Sequence, residues 1–187
     1  LGNATIERWY QRSLKLKKKE FSSRECPRVL GIDEHFFTKK KGFATTFVDL
    51  AKHRVFDVTL GRSEPSLRRY LSRLKGREKV RVVVIDLSAT YRSIVKKYFP
   101  NAMIVSDRFH VIRLVNQMFL KQWHLLDEHS RWNRGLSSLM RRHEEKLKPD
   151  QKVNLRRYLQ SGPGLEVLYD FKQELCRILC TKHITAK

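Results

Sequence analysis

Acidic residues are scarce in this chain: 19 Asp and Glu stand against 40 Lys and Arg, which leaves a formal charge of +21 over 187 residues. An excess of that size disfavours cationic partners and marks the chain as a binder of polyanions, with nucleic acid first among them. Cysteine is also sparse. Cys26, Cys176 and Cys180 are odd in number and Cys26 lies far from the other two, which excludes a disulfide framework and points to a reducing compartment. Cys176 and Cys180, with His183 behind them, fall short of a closed tetrahedral zinc site and read as buried thiols. Long apolar runs are missing: none approaches the ~20 residues needed to span a bilayer, and Leu1-Gly2-Asn3 has neither an initiator Met nor a signal-peptide pattern. The expectation is a domain without membrane anchoring that is a piece of a longer protein. Repeats and low-complexity segments are absent apart from the short lysine run at Lys17 to Lys19.

Enough apolar material is present to build a core, with 41% hydrophobic residues that include ten Phe, six Tyr and three Trp. The basic residues come in clusters spread along the chain: Lys15 to Lys19, Lys39 to Lys41, Arg68-Arg69, Lys96-Lys97, Arg141-Arg142 and Arg156-Arg157. Residues 3 to 19 place Ile6, Trp9, Tyr10 and Leu14 at helical spacing, so a basic amphipathic helix is expected there. It reads either as the end of a helix-turn-helix or as a linker helix. Polar residues 20 to 27, closing on Cys26-Pro27, mark a boundary.

From Arg28 the period changes. Val29 to Phe37, Phe43 to Leu50 and Arg54 to Leu60 are β-rich runs separated by short turns, the pattern of an antiparallel meander. Ser63 with Pro65 opens a helix bearing Leu67, Tyr70, Leu71 and Leu74 on one face. Val80 to Asp86 is almost continuously apolar, as suits a strand buried on both faces. A helix over Ala89 to Phe99, a strand over Ala102 to Asp107 and helix from about Phe109 follow. The order β-β-β-α-β-α-β-α predicts an α/β fold with a mixed sheet, three antiparallel strands and then parallel ones, flanked by helices. Residues 121 to 187 read as a helical extension broken at Lys148-Pro149-Asp150 and Ser161 to Gly164. Trp123, Leu125, Leu126, Trp132, Leu136 and Leu139 are its apolar residues, assigned to an internal core with self-association as the alternative.

Two carboxylates occupy equivalent places on strands that this order sets side by side: Asp33 closes Val29 to Ile32, and Asp86 closes Val82 to Ile85. Adjacent acids repel unless a cation lies between them, and oxygen-only ligands suit Mg²⁺ or Mn²⁺. Two such ions about 3.5–4 Å apart serve in-line phosphoryl transfer. The bland alternative is that each Asp caps the turn after its strand.

Gly31-Ile32-Asp33-Glu34, then Gly61-Arg62, then Val84-Ile85-Asp86-Leu87-Ser88 with Tyr91, and above all Asn101 to Val111, which contains Ser106-Asp107-Arg108-Phe109-His110, resemble the DDE transposase domain of the ISL3 family of bacterial insertion sequences. The resemblance is good over residues 28 to 120 and loose in the tail. It implies an RNase H-like fold whose Asp, Asp, Glu triad binds two divalent ions, Mg²⁺ or Mn²⁺. Asp33 would be the first acid and Asp86 the second, both catalytic and metal-ligating. Asp107 and His110 match the family's Asp-x-x-His element, an accessory pair that could equally be a helix cap and a bracing imidazole. The implied reaction is DNA strand cleavage followed by strand transfer, with transposon ends and target DNA as partners and no membrane. A homo-oligomer and a bacterial, cytoplasmic, nucleoid-associated location belong to the same reading. Lys39, Lys40, Lys41, Arg62 and Arg108 are the candidate nucleic-acid contacts.

One departure stands out: the family's catalytic Glu comes late, and no recognisable Glu motif appears before Lys187. Glu144, Glu145, Glu166 and Glu174 read as solvated helical acids. The expected organisation is therefore a basic helix and linker over 1–27, a catalytic core over 28–120 and a truncated helical insertion over 121–187. Two alternatives to a transposase core remain open at this point. One is an inactive DNA-binding remnant; the other is an RNase H-like nuclease, which would recruit Glu34, Asp49 or Asp57 as further acids.

Overall fold

A computed structural model describes residues 24–40 and 42–181, together with residues 5, 7, 8 and 12. The amphipathic helix expected over residues 3 to 19 lies for the most part outside the described residues, as do Lys41 and His183. The chain divides into two compact units at Asp107/Arg108.

The first unit is built on five strands: β1 (Val29–Thr38), β2 (Gly42–Asp49), β3 (Arg54–Leu60), β4 (Val82–Ile85) and β5 (Met103–Ser106). Their order in the sheet is β3-β2-β1-β4-β5. β1, β2 and β3 form the meander, paired antiparallel. β4 and β5 join in parallel, each after a crossover helix, as parallel pairing requires. These helices are α1 (Glu64–Arg73) and α2 (Ala89–Tyr98). This is the mixed α/β sheet that the sequence pattern predicts, and its strand order agrees with the RNase H-like fold that the family resemblance implies.

Local chemistry explains the helix starts. The backbone N–H of Ser63 donates to Ser66 Oγ at 3.1 Å ahead of α1, whose first turn contains Pro65. Ser88 caps α2 by accepting from the N–H of Tyr91 at 3.4 Å. One face of the sheet forms the core: Leu30, Ile32, Phe47, Val83 and Ile85 pack with Leu67 and Leu71 of α1 and with Tyr91, Ile94 and Val95 of α2. Because side chains alternate along a strand, Gly31 and Asp33 of β1 face the other way. Gly31 sits 3.2 Å, measured from the Cβ it lacks, from the side chain of Leu50 on that second face.

The second unit is helical. It comprises α3 (Arg108–Leu126), a 3₁₀ turn at Glu128–Trp132, α4 (Arg134–Arg141), a 3₁₀ turn at Glu144–Lys146, α5 (Pro149–Leu159) and α6 (Pro163–Cys180). Proline opens both α5 and α6, where its missing N–H costs nothing, so both breaks foreseen in the tail are helix starts. Phe119, Trp123, Met140, Leu147, Leu155, Leu159, Leu165 and Tyr169 form its core, with Leu136 and Leu139 packed against them. Leu125, Leu126 and Trp132 are exposed instead, Trp132 at 87%. The indole N–H of Trp123 donates to Tyr158 Oη at 2.7 Å, and that hydroxyl donates to Asp127 Oδ2 at 2.6 Å. Asp127 also caps the 3₁₀ turn by accepting from His129 and Ser130. Among the described residues no helix is long and apolar enough to cross a membrane.

Candidate functional site

β1 and β4 pair in parallel with Ile32 beside Ile85, so the residues that follow, Asp33 and Asp86, stand level on neighbouring strands about 4.8 Å apart. Asp33 is exposed and Asp86 half-buried. The turn-capping role is visible in Asp86 alone, because β1 runs on past Asp33 to Thr38. Asp33 Oδ1 accepts from the N–H of Glu34 at 2.8 Å, and Asp86 Oδ1 accepts from the N–H of Ser88 at 3.0 Å. In each case this occupies one carboxylate oxygen. No salt bridge to either carboxylate occurs among the described residues. Two acids are thus held side by side at the ends of apolar runs without a protein cation between them.

A chain of bonds ties this pair to the rest of the sheet. The Asp86 carboxylate fixes the turn to Ser88, and Ser88 Oγ fixes the start of α2 at Tyr91. Tyr91 is buried, and its hydroxyl lies 3.0 Å from Thr45 Oγ1 of β2, which in turn donates to the carbonyl of Gly61 at 2.7 Å. Burial raises the phenol pKa of Tyr91; the Thr45 bond lowers it, and the negative charges of Glu34, Asp86 and Asp33 add to the rise. Gly61 has φ 98°, and a Cβ there would fall onto the Ser66 side chain. The next residue, Arg62, lies 4.0 Å over the Phe43 ring and 3.5 Å from Glu34, the neighbour of Asp33. The Thr45–Tyr91 link escaped sequence reading; a threonine pointing into an apolar sheet face was the available signal.

The chain matches the ISL3-type DDE transposase family, described as transposase, over residues 30–187. It belongs to that family. It is also similar to the transposase for insertion sequence element IS1001 of Bordetella parapertussis, at 27% identity over 159 residues. That alignment takes in 80% of this chain and 39% of the relative, so the chain spans about two fifths of the curated transposase it matches.

Within this chain of the ISL3-type family, Asp107 extends the line of acids. β5 pairs with β4 so that Ser106 is beside Ile85, and the N–H of Asp107 donates to the Ile85 carbonyl at 2.6 Å. Asp107 is therefore level with Asp86, one strand further out. His110 belongs to the first turn of α3 in the second unit, with its ring edge-on to Phe109 at 5.5 Å. Lys39 and Lys40 are exposed in the β1–β2 turn, and Arg108 is exposed at the start of α3. Arg62 is a more constrained group than its sequence position suggests, because Phe43 and Glu34 fix it.

The other acids are committed elsewhere. Asp49 is buried, accepts from the N–H of Lys52 at 3.2 Å and pairs with Arg54 at 3.9 Å. It registers with Leu30, three residues and about 10 Å along β1 from Asp33. In the second unit Arg156 reaches Glu144 at 2.8 Å, Asp170 at 3.1 Å and Glu166 at 3.5 Å, while Glu174 pairs with Arg177 at 2.6 Å. Cys26 and Cys176 are buried free thiols, and burial pushes Cys26 up to about 11, whereas Cys180, expected to be buried with Cys176, is a half-buried free thiol near the end of its helix. Among the described residues, no three His, Cys, Asp or Glu side chains converge closely enough to hold a metal ion.

Proposed function

We propose that this chain is the catalytic-core portion of a DNA transposase in which Asp33 and Asp86 bind a divalent ion, Mg²⁺ or Mn²⁺, for DNA strand cleavage and strand transfer. The observation that carries the reading is the register of β1 and β4, which sets the two carboxylates level on adjacent strands. The donor set fits the ion: Mg²⁺ is commonly held by one or two carboxylates, with water and substrate phosphate oxygens completing its shell. When bound, the ion would offset the negative charge of a reacting phosphodiester and of an attacking oxygen. The chain's own part is positional. The Glu34 N–H within β1 and the Ser88 N–H in the turn after β4 donate to Asp33 and Asp86 and orient the two carboxylates, and the Tyr91–Thr45–Gly61 bonds fix α2 against the sheet. Asp107, level with Asp86, and His110 are proposed as accessory groups that orient the DNA. Lys39, Lys40, Lys41, Arg62 and Arg108 are proposed as phosphate contacts.

A second reading, a DNA-binding remnant without cleavage, is favoured by one observation: the tail acids Glu144, Glu166 and Glu174 are engaged by arginines, and no triad of ligands converges among the described residues. Calorimetric Mn²⁺ titration of the chain beside Asp33→Ala and Asp86→Ala, with folding followed by circular dichroism, tests the site. Loss of binding in both folded variants is expected; unchanged binding would make the two aspartates structural caps. Nicking of transposon-end DNA by the wild type then separates the transposase from the remnant.

A further inference from the structure

On the sheet edge away from β5, a cavity of about 520 Å³ opens beside β3 and α1. Its lining brings together four cationic side chains, Arg24, Arg69, Arg73 and Lys75, with Asp57 as the one acid. Gathering like charges around one groove is unfavourable unless a polyanion occupies it. Arg69 and Arg73 are both exposed, and neither takes part in a salt bridge among the described residues. Their neighbour Arg68, by contrast, pairs with Glu64 at 3.6 Å. Four residues apart on α1, Arg69 and Arg73 are offset by about 6 Å along the helix axis, a step that lets two guanidinium groups meet successive phosphates of one strand. The groove wall contributes the Thr59 hydroxyl, and β3 is the edge strand of the sheet among the described residues.

We propose that this groove binds the sugar–phosphate backbone of double-stranded DNA independently of sequence, as a second track set apart from the carboxylate pair. β3 lies two strands from β1, about 10 Å across the sheet from Asp33. The groove lies on the α1 side of the sheet, opposite the face from which Asp33 projects, so it would hold a stretch of DNA other than that at the carboxylate pair, and in this respect the inference rests on the transposase reading above.

The test is fluorescence anisotropy of the chain with two unrelated double-stranded oligonucleotides between about 50 and 200 mM salt. Wild type is compared with the double variant Arg69→Gln/Arg73→Gln and with Arg68→Gln, all checked for folding by circular dichroism. The slope of log K against log salt should shrink in magnitude by about 2 in the double variant, equally on both sequences, and stay unchanged in Arg68→Gln. Mn²⁺ affinity should not move. An unchanged slope in the double variant, or an equal loss in Arg68→Gln, would overturn the groove. Tighter wild-type binding to an all-RNA duplex, with the variant's loss confined to it, would assign the groove to RNA and overturn the DNA occupant. Absence of salt-dependent DNA binding by the wild type would instead refute the transposase reading, so the two failures are distinguishable.

Discussion

Lys172 offers a prediction whose sign and size follow from its surroundings. It is 2% exposed, its ammonium donates to the Arg142 carbonyl at 3.2 Å, and it lies 5.2 Å from the Phe119 ring and 5.0 Å from the Tyr169 ring. Among the described residues no carboxylate pairs with it, and burial lowers its pKa from 10.5 to about 8, with Cys176 opposing the shift. A folded-state pKa below the unfolded one means that the unfolded chain binds more protons between about pH 8 and 10.5, so this group adds stability as pH rises through that window. That difference corresponds to a cost of about 3 kcal/mol at pH 7 that falls to about 1 kcal/mol at pH 10. Lys172→Met removes the charge but keeps the stem. The Arg142 carbonyl stays satisfied, because Gln173 Nε2 donates to it at 2.9 Å. The stability difference between variant and wild type should therefore shift by about 2 kcal/mol toward the wild type between pH 7 and 10. Lost ring contacts lower the variant at neutral pH, but they offset the curve without changing its slope. Cys176, whose thiol burial pushes up and the Lys172 charge pulls down, makes stability fall above about pH 9 in both proteins and more so in the variant, which lacks that charge, so its effect has the same sign as the shift toward the wild type. Urea unfolding read by fluorescence of the buried Trp123 measures the second unit directly. A difference that stays flat with pH, or one that grows, would refute the reasoning.

Gly61→Ala should lower the stability of the first unit by about 2–4 kcal/mol, through strain at positive φ and collision with Ser66, and thermal unfolding followed by circular dichroism would show it. Tyr91→Phe should cost about 1 kcal/mol, since Thr45 keeps its bond to the Gly61 carbonyl, while weakening Mn²⁺ binding several-fold if α2 positions Asp86. Calorimetry and denaturation on the same samples separate the two effects. Arg156→Ala leaves Glu144, Asp170 and Glu166 facing one another, and should destabilise the second unit by about 1 kcal/mol at neutral pH, less in high salt. A loss that is insensitive to salt would point to packing against Tyr169, over which the guanidinium lies at 5.9 Å.

Much of the first unit could be read in the sequence because its signals are local. Period-two runs bounded by turn residues gave β1, β2 and β3, and the apolar run at Val80 to Ile85 identified a strand inside the sheet, between β1 and β5, although only Val83 and Ile85 of β4 are buried and the expected burial on both faces is not met. The level placement of Asp33 and Asp86 follows from each closing such a run. The tail was harder because its decisive contacts join residues with no shared period. Arg156 bridges to acids 10 to 14 positions away on both sides, and Lys172 is buried by two aromatics from different helices. A lysine in a charged tail looks solvated, and nothing local to it signals otherwise. Composition likewise could not separate Trp123, which fills the core, from Trp132, which lies almost wholly in solvent.

The alternation along β1 has an experimental consequence. Leu30 and Ile32 hold the strand to α1 and α2, while Asp33 projects from the opposite surface. Anchoring and the proposed metal-binding carboxylate thus lie on different sides of the same few residues. Neutralising Asp33 as Asp33→Asn removes a charge without opening a void, so a folded form of the unit that lacks one proposed ligand is obtainable by a single change. On the proposed reading such a form keeps the groove cations beside β3 and α1 and separates DNA binding from metal binding.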